Sequence, residues 1–442
     1  MSGGLILKTW ATLTVSLALV HCAGSRPASQ EPQQATVISV RANIELREQQ
    51  SATGARAASS GSRANARPTT RVAADAGVAE ARPPRTRCYA DDERHPQDVV
   101  DLSSGRWHSC VVLRDRSVRC WGWNNDGQLG DGTRSGHNAP IVVTEVRDAV
   151  EVRAGWDFSC ARTSSGAVQC WGENDYGQLG NGDRHASASP VAVLGIRDAR
   201  QITVGETHAC ALRAGGAVSC WGENEFGELG DGTTTLRTRP VAARFGRGVS
   251  ELSAGDGGTC ALHETGAVTC AGWLARGATP VVVRDLPTGV IDVALAKNFA
   301  CANTVDDEPR CWGEGFVGQL GGENVASGEV FVPRPINGLR AVSQVALGRR
   351  GGCAVRRDGQ LWCWGRVGAA ARETRDSNEV IGRPPHHVRS LEGVVQVSVG
   401  DDFVCARMNA GGVCCFGEGS NGQLGHNRNT DASEEDPVPV RW

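Results

Sequence analysis

One stretch of the chain decides the fold: Val204-Gly205-Glu206-Thr207-His208-Ala209-Cys210-Ala211-Leu212, four further residues, then Ala217-Val218-Ser219-Cys220-Trp221-Gly222. Its skeleton is two cysteines ten positions apart with a glycine two residues after the second, and it occurs seven times. The first cysteines stand at positions 110, 160, 210, 260, 301, 353 and 405, so successive copies begin 41 to 52 residues apart. A repeat of this length is typical of solenoids, propellers and arrays.

Each unit contains one pair of cysteines that a hairpin would place face to face. Counting outward from Asp115 sets Cys110 opposite Cys120, and residues opposed at a non-hydrogen-bonded site are close enough for a disulfide. The alternative is a zinc site, but the short C-x-x-C knuckles typical of zinc sites do not occur. The count therefore predicts seven disulfides: Cys110–Cys120, Cys160–Cys170, Cys210–Cys220, Cys260–Cys270, Cys301–Cys311, Cys353–Cys363 and Cys405–Cys415.

Three of the 17 cysteines, Cys22, Cys88 and Cys414, fall outside these pairs. Cys414 neighbours Cys415 in sequence and should face the opposite side of its strand. An eighth bridge from Cys88 to Cys414 and two free thiols both remain open. Pairing this regular indicates an oxidising compartment.

The first residues indicate export. An uncharged, mostly apolar stretch from Trp10 to Val20 follows Lys8 and has the length of a signal peptide. Leu19-Val20-His21-Cys22 resembles a bacterial lipobox, although Gly or Ala usually stands where His21 is. We expect a signal peptide over residues 1–22 and a lipid anchor on Cys22. That predicts an outer-membrane or cell-surface lipoprotein, the alternative being a periplasmic or secreted protein.

The rest of the chain divides into a tether and a folded part. Residues 23–87 are rich in Ala, Arg and Ser with few large apolar residues, which predicts disorder. Residues 88–442 contain the seven units, each interpreted as four short strands. A turn separates the first two strands, the cysteine hairpin follows, and the fourth strand comes after a proline such as Pro140. We expect the segment Pro437 to Arg441 to close the ring by pairing with N-terminal strand material.

The repeat resembles that of the regulator of chromosome condensation family. His208 to Leu212 and Gly216 to Gly230 contain the pattern H-x-C-A-L and G-x-V-x-C-W-G-x-N-x-x-G-Q-L-G nearly intact. The residues alone do not separate a propeller from a β-solenoid. The resemblance implies an all-β chain folded as a seven-bladed β-propeller, each blade a four-stranded antiparallel sheet. The repeated Trp and Gly-Gln-Leu-Gly segments are then structural.

Catalytic chemistry is not indicated. The sequence contains no G-x-x-x-x-G-K-[ST], G-x-S-x-G or H-E-x-x-H motif. His108 and His208 share one repeat position with phenylalanines such as Phe158, which predicts packing rather than catalysis. The net charge of -3 gives no electrostatic footprint for nucleic acid. We expect no enzyme activity, cofactor or metal.

The turn between the first and second strands recurs in every unit, but the residues within it differ from one unit to the next. Equivalent turns of a propeller form one ring on one face. This ring combines tryptophan with charges of both signs, as binding hot spots do. It predicts a protein-binding site at Arg106, Trp107, Trp156, Asp157, Glu206, Asp256, Arg349, Arg350, Asp401 and Asp402.

The favoured hypothesis is a surface-anchored, non-catalytic propeller that binds a protein partner. Guanine-nucleotide exchange, implied by the family resemblance, is an alternative. The first three units have equal spacing, with no room for the wedge-like insertion that exchange needs. A weaker alternative is a glycan-binding or glycan-processing propeller, which would need clustered carboxylates from Asp256, Asp401 and Asp402.

Overall fold

The computed structural model describes Cys88 and residues 99–442, apart from 306–307, 323–328, 369–381 and 433–435. The expected tether and Cys22 lie outside the described residues. Seven four-stranded antiparallel sheets are present, each made of four consecutive strands. The chain is thus an all-β propeller with seven blades, as the repeat predicts.

The strands follow the sequence units in order. Blades one to four contain β1–β16: Val99–Ser104, His108–Leu113, Val118–Gly122, His137–Val142; Ala149–Ala154, Phe158–Thr163, Val168–Gly172, Ser187–Ala192; Ala199–Val204, His208–Arg213, Val218–Gly222, Arg237–Ala242; Val249–Ala254, Gly258–His263, Val268–Gly272 and Gly277–Val282. Blades five to seven contain β17–β28: Val290–Leu295, Phe299–Thr304, Arg310–Glu314, Glu329–Pro335; Val342–Gly348, Gly351–Arg356, Leu361–Gly365, Arg383–His387; Val394–Val399, Phe403–Met408, Val413–Gly417 and Val438–Pro439. In blades one to four the fourth strand begins before its proline rather than after it, since Pro140 lies inside β4 and Pro190, Pro240 and Pro280 lie inside the equivalent strands. In blade seven the expectation is confirmed, because β28 begins at Val438, directly after Pro437. As the outermost strand, β4 has one unpaired edge, where a residue without an N–H is tolerated.

The seven predicted disulfides are present. Cys110 lies directly opposite Cys120 in the pairing of β2 with β3, and the other six pairs repeat this register. Their Cα atoms are 4.0 to 4.1 Å apart. An eighth bridge joins Cys88 to Cys414, with Cα atoms 6.0 Å apart. The open question about these two cysteines is therefore resolved in favour of pairing.

The hydrophobic core lies between neighbouring blades. Trp171 of blade two is fully buried, and its indole N–H donates to the Gln128 carbonyl of blade one at 2.8 Å. Trp121, Trp221 and Trp364 make the same bond to the preceding blade. The Trp and the Gly-Gln-Leu-Gly segment are structural, as expected, because together they form the joint between two blades.

Blade four has a compensated substitution at this joint. Ala271 replaces the tryptophan, and Phe245 of blade three is buried beside it. A β-carbon on Gly180 would lie 2.8 Å from the Trp221 indole nitrogen, whereas one on Gly230 would lie 3.0 Å from the Phe245 ring. Phe245 therefore fills the volume that tryptophan occupies elsewhere, because an unfilled cavity would be destabilising.

The ring closes without exchanging a strand. We expected the segment after Pro437 to pair with N-terminal strand material, and this is wrong: β28 pairs with β27 of its own blade, placing Val438 opposite Cys415. Seven complete units already supply four strands each, so no blade has a vacancy. Single hydrogen bonds join the first and last blades instead: the Ser104 amide donates to Ser398 Oγ at 2.8 Å, and the Val99 amide donates to the Gly411 carbonyl at 3.4 Å.

Two histidines are core residues. His108 Nε2 lies 2.8 Å from Ser159 Oγ, and His208 Nε2 lies 2.9 Å from Thr259 Oγ1, each in the next blade. Both are fully buried, and burial lowers the pKa of His108 to about 3 and that of His208 to about 4. They are neutral packing groups, as their exchange with phenylalanine in other units predicts.

Candidate functional site

The first residue of each turn between the first and second strands lines the mouth of the central channel. We call these residues the inner ring; they come from all seven blades and are Arg106, Trp156, Glu206, Asp256, Lys297, Arg349 and Asp401. A glycine before six of the seven turns allows this convergence, and Ala296 holds the position in blade five. A β-carbon on Gly105 would collide with the carbonyl oxygen of Gly155 in the next blade.

A stack of aromatic and guanidinium groups occupies one side of the mouth. The Arg106 Cζ atom lies 3.7 Å from the Trp107 ring centroid and 4.5 Å from that of Trp156. Arg349 reaches Trp156 from blade six, with Cζ at 4.7 Å from the ring centroid. Trp107 also meets Trp123 edge-on, with centroids 5.8 Å apart. The predicted tryptophans thus lie on one face, half-buried, and each has a cation against its ring.

Acidic side chains occupy the next part of the mouth. Glu206 and Asp256 share a hydrogen bond between their carboxyl groups. Burial and the charge of Asp256 raise the pKa of Glu206 to about 9, against the opposing effect of Arg349 and Lys297. Burial also raises the pKa of Asp256. The pair therefore holds a proton at neutral pH, as two carboxyls in contact must.

This protonation makes the stability of the mouth depend on pH. The unfolded chain releases the Glu206 proton near pH 4.5, whereas the folded chain keeps it to about pH 9. Its contribution to stability is therefore full below pH 4.5 and is lost as pH rises toward 9. We expect Glu206→Gln to raise the free energy of unfolding at pH 8 by about 1 kcal/mol or more, and little at pH 5. Urea unfolding at both pH values measures this, and equal changes would contradict it.

The backbone carbonyl of the second residue of each turn accepts a hydrogen bond from a residue sixteen positions later. We call these later residues the outer ring; each donates its backbone N–H to the turn at 2.7 to 3.1 Å, and they are Trp123, Glu173, Glu223, Trp273, Glu314, Arg366 and Glu418. Sequence reasoning missed them. The sequence did offer an indication of them: the residue directly after the glycine that follows each second cysteine differs from unit to unit, as the turn residues do.

Asp157 is a brace rather than an exposed contact. Its carboxylate is buried, accepts a hydrogen bond from Gln128 Nε2 at 2.8 Å and lies 3.5 Å from the Arg106 guanidinium. Burial raises the pKa of Asp157 to about 6, and burial with the charge of Asp157 raises that of Glu173 to about 7. Asp157 therefore orients Arg106 between the two tryptophan rings.

The remaining predicted residues form a second charged arc. Arg350 lies 3.7 Å from Asp402, and Asp401 lines the mouth beside them. Of the carboxylates considered for glycan processing, Asp256 meets Glu206, whereas Asp401 and Asp402 belong to this second arc. Within the described part of the chain, no three His, Cys, Asp or Glu side chains form a group able to hold a metal ion.

Two observations bear on the compartment. Eight disulfides indicate an oxidising, extracytoplasmic environment. In the described part of the chain, no helix has the length and apolar character to cross a membrane.

Sequence comparison identifies the repeats. One model of the regulator of chromosome condensation (RCC1) repeat matches residues 99–128, 149–178, 199–228 and 342–366. A second model of the same repeat matches residues 117–162, 165–212 and 215–262. The rat probable E3 ubiquitin-protein ligase HERC4 is 30% identical over 142 residues, and human HERC3 is 31% identical over 160 residues. These matches cover 31% and 35% of this chain, but only 13% and 15% of those relatives.

Structural comparison gives the same fold. Yeast RCC1 (Prp20) bound to Kap60 superposes with a TM-score of 0.63 at 19% identity, covering 74% of this chain and 84% of Prp20. A second structure, of Prp20p from Saccharomyces cerevisiae, was described with its binding to Gsp1p and histones; it gives the same TM-score and identity over 78% of this chain and 88% of that protein.

Proposed function

Because the chain is a seven-bladed propeller built from RCC1 repeats, we propose that it is a non-catalytic module that binds a protein partner through the channel mouth. The observation that supports this is the stack of Trp107, Arg106, Trp156 and Arg349. Large aromatic rings held by neighbouring groups contribute contact area at little entropic cost. Prp20, of the same fold, was solved in complex with a protein.

The arrangement of charge around the mouth supports a specific orientation of that partner. Glu206 and Asp256 come from blades three and four, where the charges of Lys297 and Arg349 act on both carboxyls, whereas Arg106 and the tryptophan rings come from blades one and two. A partner that matches this asymmetry would bind in one rotational setting about the channel axis, because the opposite setting separates its groups from the aromatic and acidic sides that complement them.

Removal of both tryptophans tests the proposal. Trp107→Ala with Trp156→Ala should weaken partner binding by about 2 kcal/mol or more for each anchor, because each ring contributes contact area at the mouth. The full chain is used as bait on an extracytoplasmic fraction of cells that make it. Recovered proteins are quantified by mass spectrometry, and the affinity of the enriched protein is then measured directly.

Trp362→Ala is the matched control. Trp362 is also half-buried, but it stacks on His387 between the third and fourth strands of blade six, away from the mouth. It should leave partner binding unchanged, and thermal unfolding should verify that all variants fold. A partner retained equally by the wild type and the double variant would place the binding surface elsewhere.

We also propose that a lipid on Cys22 anchors the protein at a membrane surface. The Leu19-Val20-His21-Cys22 sequence supports this, and several acyl chains hold a protein far more firmly than one. Cys22→Ser should move the protein from the detergent phase to the aqueous phase in a Triton X-114 partition. Equal partitioning of wild type and variant would favour simple secretion.

A further inference from the structure

Blade four lacks a segment that most other blades have. In five of the other six blades a loop containing Gly-Gln-Leu-Gly, or Gly-Glu-Leu-Gly in blade three, follows the third strand. In blade four a single 3-10 turn, Trp273–Ala275, leads almost directly into β16. The cysteine pairs at 260 and 301 are correspondingly the closest in the chain. Among the residues that the structure describes, those over blade four form a concave surface, which we call the notch; it is lined by Phe226, Gly272, Trp273, Arg276, Gly277, Glu329 and Phe331.

Three aromatic rings from three consecutive blades meet in the notch. Phe226 belongs to the loop of blade three and is 49% exposed. Trp273 is in blade four and Phe331 in β20 of blade five, with ring centroids 5.7 Å apart. Both are half-buried. Aromatic surface left open to solvent at a concave site is typical of binding sites.

The notch adjoins the channel mouth. A β-carbon on Gly257 would lie 3.2 Å from Trp273 Cβ and 3.6 Å from Phe226 Cδ2. Gly257 follows Asp256, the inner-ring carboxyl that meets Glu206. The aromatic rings are therefore next to the acidic side of the mouth, on the same face of the propeller.

Carboxylates predominate around the rings. Glu329 lines the notch, and the loop of blade three carries Glu223 and Glu225 just before Phe226. Glu228, which follows Phe226, is fully buried and accepts the Phe226 backbone N–H at 2.9 Å. Burial, with the charges of Glu223 and Asp256, raises the pKa of Glu228 to about 7. The cations nearby are Arg276 and Lys297. Acidic groups outnumber basic ones, so the notch attracts a cation.

One contact within the chain shows which cation fits. The Arg276 Cζ atom lies 4.1 Å from the Phe331 ring centroid, so a guanidinium already stacks on one wall. Guanidinium groups stack on aromatic faces and donate to carboxylates in the same plane, which a compact ammonium group does less well. Phe226 and Trp273 offer the other walls.

We propose that the notch binds an arginine side chain in an extended basic segment of a partner protein. The guanidinium stacks against Trp273 and Phe226 and donates hydrogen bonds to the exposed glutamates of the notch, Glu225 and Glu329. The notch is separate from the tryptophan stack at the mouth. The proposal for the notch therefore does not depend on whether the mouth binds the same partner.

A labelled peptide tests the proposal without knowledge of the partner. The probe is a fluorescein-labelled peptide with arginines spaced by glycine and serine, and the reference peptide has glutamine in place of every arginine. Fluorescence polarisation with the full chain at about 0.15 M salt should show binding of the arginine peptide, at least about tenfold tighter than the glutamine peptide. Phe226→Ala with Trp273→Ala should weaken it by about tenfold or more.

Tyr176→Ala is the matched control, because Tyr176 holds the Phe226 position one blade earlier and is also exposed, at 37%. It should change affinity by less than about twofold. If the double variant unfolds, Phe226→Ala alone replaces it in the test, because Phe226 lies in an exposed loop and its removal should leave the fold intact. Trp107→Ala with Trp156→Ala should keep peptide binding, which separates this proposal from that for the mouth. Equal binding of both peptides, or unchanged binding by Phe226→Ala and the double variant, would overturn it.

Discussion

Replacing Cys88 and Cys414 with alanine should lower the free energy of unfolding by up to about 5 kcal/mol, the largest effect of any single bridge. The cysteines are 326 positions apart, whereas each blade bridge joins cysteines ten apart. In the chain-entropy model a bridge stabilises by restricting the unfolded chain, and more so when its loop is long. Denaturant unfolding without reductant, followed by tryptophan fluorescence, measures the change.

Cys210→Ala with Cys220→Ala is the control for this prediction. It also removes one bridge and two sulfur atoms, but it opens only a short hairpin loop, for which the same model gives about 2.8 kcal/mol. The difference between the two variants reports the loop length. A smaller loss for the Cys88–Cys414 variant would show that this bridge does not hold the ends of the ring together.

Trp121→Ala should lower the free energy of unfolding by about 3 to 5 kcal/mol. Trp121 is fully buried, donates to the Gln423 carbonyl of blade seven at 2.8 Å and meets Trp442 edge-on with centroids 6.1 Å apart. Its removal leaves a cavity and an unpaired carbonyl at the joint between the first and last blades. Equilibrium denaturation with a second probe, such as circular dichroism, measures the loss.

Trp121→Phe separates volume from hydrogen bonding. Phe416 holds the equivalent position in blade seven and is buried, so the blade geometry accepts this ring. We expect a loss of about 1 to 2 kcal/mol, mainly from the unpaired Gln423 carbonyl. Ala271 is tolerated in blade four because Phe245 fills the volume. A smaller loss in the free energy of unfolding for Trp121→Ala than for Trp121→Phe would contradict this account of the joint.

The blade interior was predictable because it is local. The hairpin around Asp115 fixes Cys110 opposite Cys120 by counting alone, and the alternation of each strand fixes which residues face the core. The buried positions of Trp121 and His108 follow from the repeat, since a position that recurs as Trp or as His and Phe is a packing position. No contact in these arguments spans more than one unit.

The site was predictable only in outline, because it depends on contacts between units distant in sequence. The ring of turns was expected, but the approach of Arg349 in blade six to Trp156 in blade two depends on side-chain directions across the channel. The notch shows the same limit. The missing loop of unit four is visible in the sequence, whereas the meeting of Phe226, Trp273 and Phe331 is not.

The contiguity of each blade has a consequence for biogenesis. A chain that crosses a membrane with its N-terminus first can oxidise and complete each of the first six blades before the next has emerged, since both cysteines lie within one short segment. Cys88 emerges before every blade, and its partner follows all the blade cysteines except Cys415. Cys88 can therefore form its native bridge only after most of the last blade has emerged, and Cys405 then has two adjacent potential partners, Cys414 and Cys415. Thiol–disulfide isomerases have little to correct in the early blades, and their work falls on the seventh.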